Sequence, residues 1–111
     1  MTDLEITRLC ADAMGINGLT EKRNRLVWER AREESHARLR SYEPIYNDAQ
    51  AMALVKRFRL FITHDETEFW VEWAGPIGGD GKVSWRADPD LNRAICECVA
   101  KMQLAKQKEV A

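Results

Sequence analysis

The chain has 111 residues, enough for one domain and not comfortably for two. Hydrophobic residues make up 45% and charged residues 32%, a balance that supports a buried core and excludes wholesale disorder. The formal net charge of −1 lacks the basic excess of a dedicated DNA-binding domain, and no apolar run approaches the ~18 residues that a membrane span needs.

Residues 1–5 carry acids and no apolar run, so they do not read as a signal peptide. The cysteines, Cys10, Cys96 and Cys98, are odd in number, and the last two lie two apart in a helical pattern. That spacing points them to nearly opposite sides and gives no disulfide framework, which predicts a reducing, cytoplasmic compartment (the host's, if the chain is viral).

In chain order, the first predicted element is a helix over 3–14. Thr2 and Glu5 form a capping box, Ile6, Leu9, Cys10, Ala13 and Met14 make one stripe, and Gly15 stands at the stop position. A turn at 16–19 leads to a densely charged run over 21–40, with seven bases and four acids. Opposite charges recur at i,i+4 spacing in Glu21 with Arg25, Arg30 with Glu34 and Glu34 with Arg38. Apolar residues there are few, so the run predicts a solvated helix or partly ordered arm, leaning on the body through Leu26, Val27 and Trp28. Pro44 breaks it. Asn47 then caps a helix to about 57, with Gln50 at the N3 position of a capping box.

From Phe58 the period moves towards two. Phe58, Leu60 and Ile62 alternate with Arg59, Phe61 and Thr63 as a first strand. The polar stretch 64–68 suits a hairpin, 69–73 is an aromatic, β-branched second strand, 75–81 a glycine-rich loop, and 82–87 an alternating third strand. Asp88 and Pro89 signal a last helix, with Asp88 as cap and Pro89 in the first turn. Leu91, Ala94, Ile95, Cys98, Val99 and Met102 make its stripe, and 105–111 is expected to fray. The fold class is thus α+β: a three-stranded antiparallel sheet covered by amphipathic helices, sandwich-like, in a single domain over 1–111 with a charged helical insertion at 20–43.

Three segments carry a further resemblance: the first helix ending in Met14-Gly15; Asn47-Asp48-Ala49-Gln50-Ala51-Met52-Ala53-Leu54-Val55; and Ala87-Asp88-x-Asp90-x-x-x-Ala94-Ile95-Cys96. Together, over 1–15 and about 46–105, the chain resembles the phage ABA-sandwich domain family. That resemblance implies a sheet covered by helices on both faces and a phage or prophage origin, and supplies no catalytic residues. The family has a shorter connection where this chain has 20–42, which marks that segment as particular to this protein.

Chemistry-bearing motifs are sparse. The loop ending in Gly81-Lys82 lacks the first glycine, the Ser or Thr and the following helix of a phosphate cradle. His64-Asp65-Glu66 is a hairpin tip whose neighbours diverge, with His36 far along the chain. Cys10 and Cys98 fall on apolar stripes, whereas Cys96 points away from its stripe, towards solvent. No catalytic, metal-binding or cofactor-binding residues are expected. Trp73 and Trp85 are read as core. Trp70 has the opposite parity: core if helices cover both sheet faces, an exposed partner anchor if they cover one. Trp28 is open between the same two roles.

The expected function is non-enzymatic: a phage accessory protein acting by protein–protein binding, in the manner of anti-CRISPR inhibitors of host defence complexes. The expected contact residues are Arg25, Trp28, Glu29, Arg32, Glu33 and Trp70. Binding of nucleic acid by the arginines of 20–43 is the alternative, ranked behind a host protein because glutamates dilute the basic field. Homodimerisation is left open.

Overall fold

The computed structural model describes residues 1–23, 25–28, 41–73 and 84–110. Local signals start and stop its helices. α1 spans Asp3–Met14. Thr2 Oγ1 accepts from the Glu5 amide at 3.1 Å, satisfying one of the orphan donors of the first turn. At the other end Gly15 adopts φ 69, which a residue without Cβ does freely. Its amide donates to the Asp12 carbonyl at 3.1 Å and the Ile16 amide to the Ala11 carbonyl at 3.0 Å, a Schellman closure.

α2 spans Asp48–Phe58, and Asn47 Oδ1 accepts from the Gln50 amide at 3.0 Å. Gln50 does not complete the expected capping box. Its side chain turns outward instead: Oε1 accepts from the Glu43 amide at 2.6 Å and Nε2 donates to the Ser41 carbonyl at 3.1 Å. Phe58 belongs to this helix and not to the following strand; Arg59, at φ 52, ends the helix, with its amide on the Val55 carbonyl.

α3 spans Leu91–Val110. Its cap is Asp90, whose Oδ1 accepts from the Asn92 amide at 3.0 Å and whose carbonyl accepts from the Ala94 amide at 3.0 Å. Asp88 instead folds the Pro89 turn, accepting from the Asp90 amide at 2.8 Å. The helix runs on through 105–110, the stretch expected to fray. Its residues 105–108 are exposed Ala, Lys and Gln, strong helix formers.

The larger correction concerns 19–28. Where a charged helix is predicted, the structure has an antiparallel sheet of β1 (Leu19–Lys22), β2 (Arg25–Trp28) and β3 (Ser41–Tyr42). The rest of the predicted helix, 29–40, lies outside the described residues. Glu21 and Arg25, placed one helical turn apart by the sequence, separate: Glu21 pairs with Arg8 of α1 and Arg25 with Glu43 at 3.2 Å. Both Leu26 and Val27 are buried, so β2 is covered on each side at its centre. Leu26 and Tyr42, register partners, face the body and are buried.

The second sheet matches the predicted meander, with β4 (Phe61–His64), β5 (Phe69–Trp73) and β6 (Ser84–Asp88) antiparallel in that order. Val71 is fully buried, and its face-mates Ile62 and Trp73 pack on the core. α3 lies against this face, contacting β5 and β6, and on its other side meets α1 and α2. It is therefore buried almost all round, with Ala94, Ile95, Cys96, Cys98, Val99 and Ala100 at 1% exposure or less. Cys96, predicted to face solvent, faces α1, and its carbonyl accepts from Cys10 Sγ at 3.4 Å.

Ile95 sits at the centre of this contact, and its truncation leaves a cavity that neither side can close. Ile95→Ala is expected to lower unfolding free energy by about 2–5 kcal/mol in urea titration; a loss under about 1 kcal/mol contradicts the central placement of α3. The three thiols are all fully buried. A thiol reagent is expected to leave native protein untouched and to label Cys10, Cys96 and Cys98 after denaturation.

Candidate functional site

The face of the β4–β5–β6 sheet opposite α3 is the candidate. Register and alternation put Phe61, Thr63, Trp70, Glu72 and Ala87 on it. Phe61 is 62% exposed, Thr63 and Glu72 are exposed, and Trp70 and Ala87 are half-buried. Among the described residues no helix covers this face, so the two-sided cover implied by the family resemblance is not seen there. Trp70 consequently lies, half-buried, on the outward side of a sheet whose opposite face α3 covers.

Below the aromatic pair lies a tightly organised hairpin tip. Asp65 Oδ1 accepts from the Thr67 amide at 2.7 Å, the Glu68 amide at 2.8 Å and the Thr67 hydroxyl at 3.0 Å. These donors, the two amides first, hold the Asp65 carboxyl down at about 2, and the Trp70 side chain adds a further hydrogen bond. The tip is thus a fixed negative charge, with Glu66 exposed and Glu68 half-buried beside it.

The other expected contact residues do not join this face. Arg25 is exposed on the outer side of β2, tied to Glu43. Trp28 is half-buried on the inner side, its ring edge-on to Tyr42 at 5.9 Å and 84°, and it packs on the core. Arg25 and Trp28 therefore point to opposite faces of one strand, and Trp70 belongs to a different sheet. Glu29, Arg32 and Glu33 lie outside the described residues, as does the glycine-rich loop over 75–81. Trp73 packs on the core as predicted; for Trp85 only the backbone pairing with Glu72 is described. Phe61 was not among the expected contacts, yet its parity with Arg59 and Thr63 already placed it off the core face.

Two polar clusters elsewhere have structural explanations. The helix starts converge where Asp3 takes Arg93 at 2.8 Å on Oδ1 and the Tyr46 hydroxyl at 2.9 Å on Oδ2, while Asn92 donates to Asp48 at 2.7 Å. The Arg93 and Tyr46 hydrogen bonds lower the Asp3 carboxyl, and the same bond raises the Tyr46 phenol. This network clamps α1, the 43–47 turn, α2 and α3 together. The adjoining cleft, lined by Asp3, Thr7, Arg25, Tyr42, Glu43 and Tyr46 among others, holds about 50 Å³, far short of the ~300 Å³ of a small-molecule site.

Inside the core, Tyr42 meets Cys10 and Cys96. Burial first, then the two thiols, pushes the Tyr42 phenol up, and the Cys10 hydrogen bond with burial pushes the Cys96 thiol up. Both shifts keep the Tyr42 phenol and the Cys96 thiol neutral, the reverse of an activated nucleophile. Among the described residues no group of three or more His, Cys, Asp or Glu side chains could hold a metal ion. Nor is any described helix long and apolar enough to cross a membrane. Comparison with protein-family models, curated proteins and solved structures returns no match.

The hairpin tip gives a pH test. The Asp65 carboxyl titrates lower folded than the ~3.9 of an unfolded aspartate, so its stabilisation is complete above about pH 4 and lost as pH falls towards 2. An NMR titration is expected to show a midpoint near 2 for Asp65. Asp65→Asn, which keeps an acceptor, is expected to retain more of the melting temperature than Asp65→Ala; equal losses would show that the three-donor turn does not matter.

Proposed function

We propose that this chain is a non-enzymatic phage accessory protein that binds a host protein complex, with the outer face of the β4–β5–β6 sheet as its contact surface. The class of function is inhibition of a defence complex, as anti-CRISPR proteins act. One observation carries the choice of surface: two aromatic residues, Phe61 and Trp70, lie on the sheet face that α3 does not cover. A half-buried tryptophan held by its own hairpin loses little side-chain entropy on binding, and flanking Thr63 and Glu72 supply a polar rim. The phage origin and the defence target rest on the sequence resemblance and on the class of small phage inhibitors.

A protein partner is favoured over nucleic acid by the charge layout. Arg25, the exposed base described on β2, is shared with Glu43, and the tip beside Trp70 carries Asp65, Glu66 and Glu68. That acidic tip repels phosphate from the Trp70 end of the face.

Capture of a defence complex from host lysate, followed by titration with the purified complex, tests this. Glu72→Lys, at an exposed site, and Trp70→Ser are each expected to weaken binding about tenfold or more, on the scale of about 1.4 kcal/mol per decade. Retention of full affinity by both, with unchanged circular dichroism, would move the contact elsewhere. Affinity for duplex DNA that falls steeply with salt would favour the nucleic-acid alternative.

A further inference from the structure

β4 is an edge strand: it pairs with β5 on one side, and among the described residues no strand pairs with the other. Its sequence, Phe61-Ile62-Thr63-His64, has no lysine, proline, glycine or other device that keeps an edge from pairing. The direction of its free hydrogen-bonding groups follows from the hairpin. The Asp65 amide donates to the Glu68 carbonyl at 3.0 Å, so 65 and 68 form a hydrogen-bonded pair. Antiparallel pairs alternate, which makes 63 with 70 and 61 with 72 the hydrogen-bonded pairs as well. The 64–69 pair is then of the close, non-hydrogen-bonded kind, consistent with the His64 and Phe69 rings at 6.1 Å. It follows that the amides and carbonyls of Ile62 and His64 point away from β5, towards the open edge.

We propose that this edge pairs with β4 of a second copy of the same chain, antiparallel about a two-fold axis at Ile62. Three independent features agree on that register. First, the outward groups fit: Ile62 exchanges amide-to-carbonyl bonds with Ile62 of the second copy, and the His64 amide reaches the Leu60 carbonyl. The Leu60 amide is not needed, since it is already bound to the Val55 carbonyl at 3.1 Å. Second, the side chains fit. Phe61, 62% exposed, comes opposite Thr63 of the second copy on the outer face, in a close cross-strand pair. Third, the charges fit. The chain is basic just before the strand, where Lys56 and Arg57 at the end of α2 and Arg59 are exposed, and acidic just after it, where Asp65 and Glu66 are exposed. A two-fold axis across such a strand sets each basic end against the other copy's acidic end, and Arg59 comes beside Asp65.

The product is one six-stranded sheet, with the aromatic face of each copy on the same side. A bulky apolar side chain beside an open edge is the arrangement that invites edge pairing, and the charge polarity along β4 selects antiparallel over parallel pairing. This inference stands apart from the proposed host contact, because it concerns the edge of the sheet and needs no partner of another kind.

The experiment uses the purified full chain alone. Sedimentation across a concentration series is expected to show a monomer–dimer equilibrium that weakens with salt. Arg59→Glu and Phe61→Lys, both at exposed positions, are each expected to raise the dimer dissociation constant about tenfold or more while leaving the melting temperature of the monomer unchanged. Hydrogen exchange supplies the address: the Ile62 and His64 amides are expected to be protected at high concentration and to lose protection in Phe61→Lys. A monomer at every concentration overturns the proposal. So does a dimer indifferent to both substitutions, or one in which the Ile62 and His64 amides exchange freely.

Discussion

The whole structure depends on the burial of α3 from both sides. One side receives Val71, Ile62 and Trp73 of the sheet, and the other receives α1 and α2. A chain of this size has little apolar area to distribute, and placing one helix at the centre lets a single element serve as core for both other helices and for β5 and β6. The residues that permit it are small. Ala94, Cys96, Cys98 and Ala100 alternate with Ile95 and Val99, so neighbouring backbones approach closely without voids. Cys10 and Ala11 answer them from α1. The cysteines are thus best understood as compact hydrophobes whose sulfur reaches a neighbouring carbonyl, as Cys10 does to Cys96.

Centralising the core in this way leaves the other face of the β4–β5–β6 sheet without a helix over it among the described residues. In a three-layer arrangement with helices on both sides, Phe61 and Trp70 would have been a second core. Here they are surface, and the same strands that anchor the protein through Val71 present the aromatics to solvent. Period-two alternation is what connects the two facts: each residue committed inward by the core commits its neighbour outward. The candidate contact face is in that sense a by-product of where α3 lies.

Much of this was legible in the sequence because it is set locally. The Thr2 and Asn47 caps, the Gly15 stop, the hairpin at 65–68 and the parity of the strands all follow from residues a few positions apart. The 19–28 segment was not, and the reason is physical. Its glutamates and arginines sit at helical spacing, but such pairs contribute only a few tenths of a kcal/mol each, and Leu26 and Val27 give no helical stripe to reinforce them. Partners distant in sequence decide instead: Arg8 for Glu21, Glu43 for Arg25, Tyr42 for Leu26. Cys96 failed for a related reason. A stripe defines one buried side of a helix, and nothing local announces that the opposite side is buried too. The contact residues were half legible: Trp70 through its parity, Arg25 and Trp28 only as neighbours, with the assignment to a helix face replaced by opposite sides of a strand.

Gln50 deserves a last consequence, because its amide holds β3 at both the Ser41 carbonyl and the Glu43 amide while its own backbone is the donor that Asn47 caps. β3 is two residues long, and beside its ladder with β2 and the buried Tyr42 ring these bonds are what hold it. The first turn of α2 and the outermost strand of the small sheet are therefore fastened by one side chain. Fraying of that turn removes two of the bonds that hold β3, so local opening at the start of α2 loosens the strand with it.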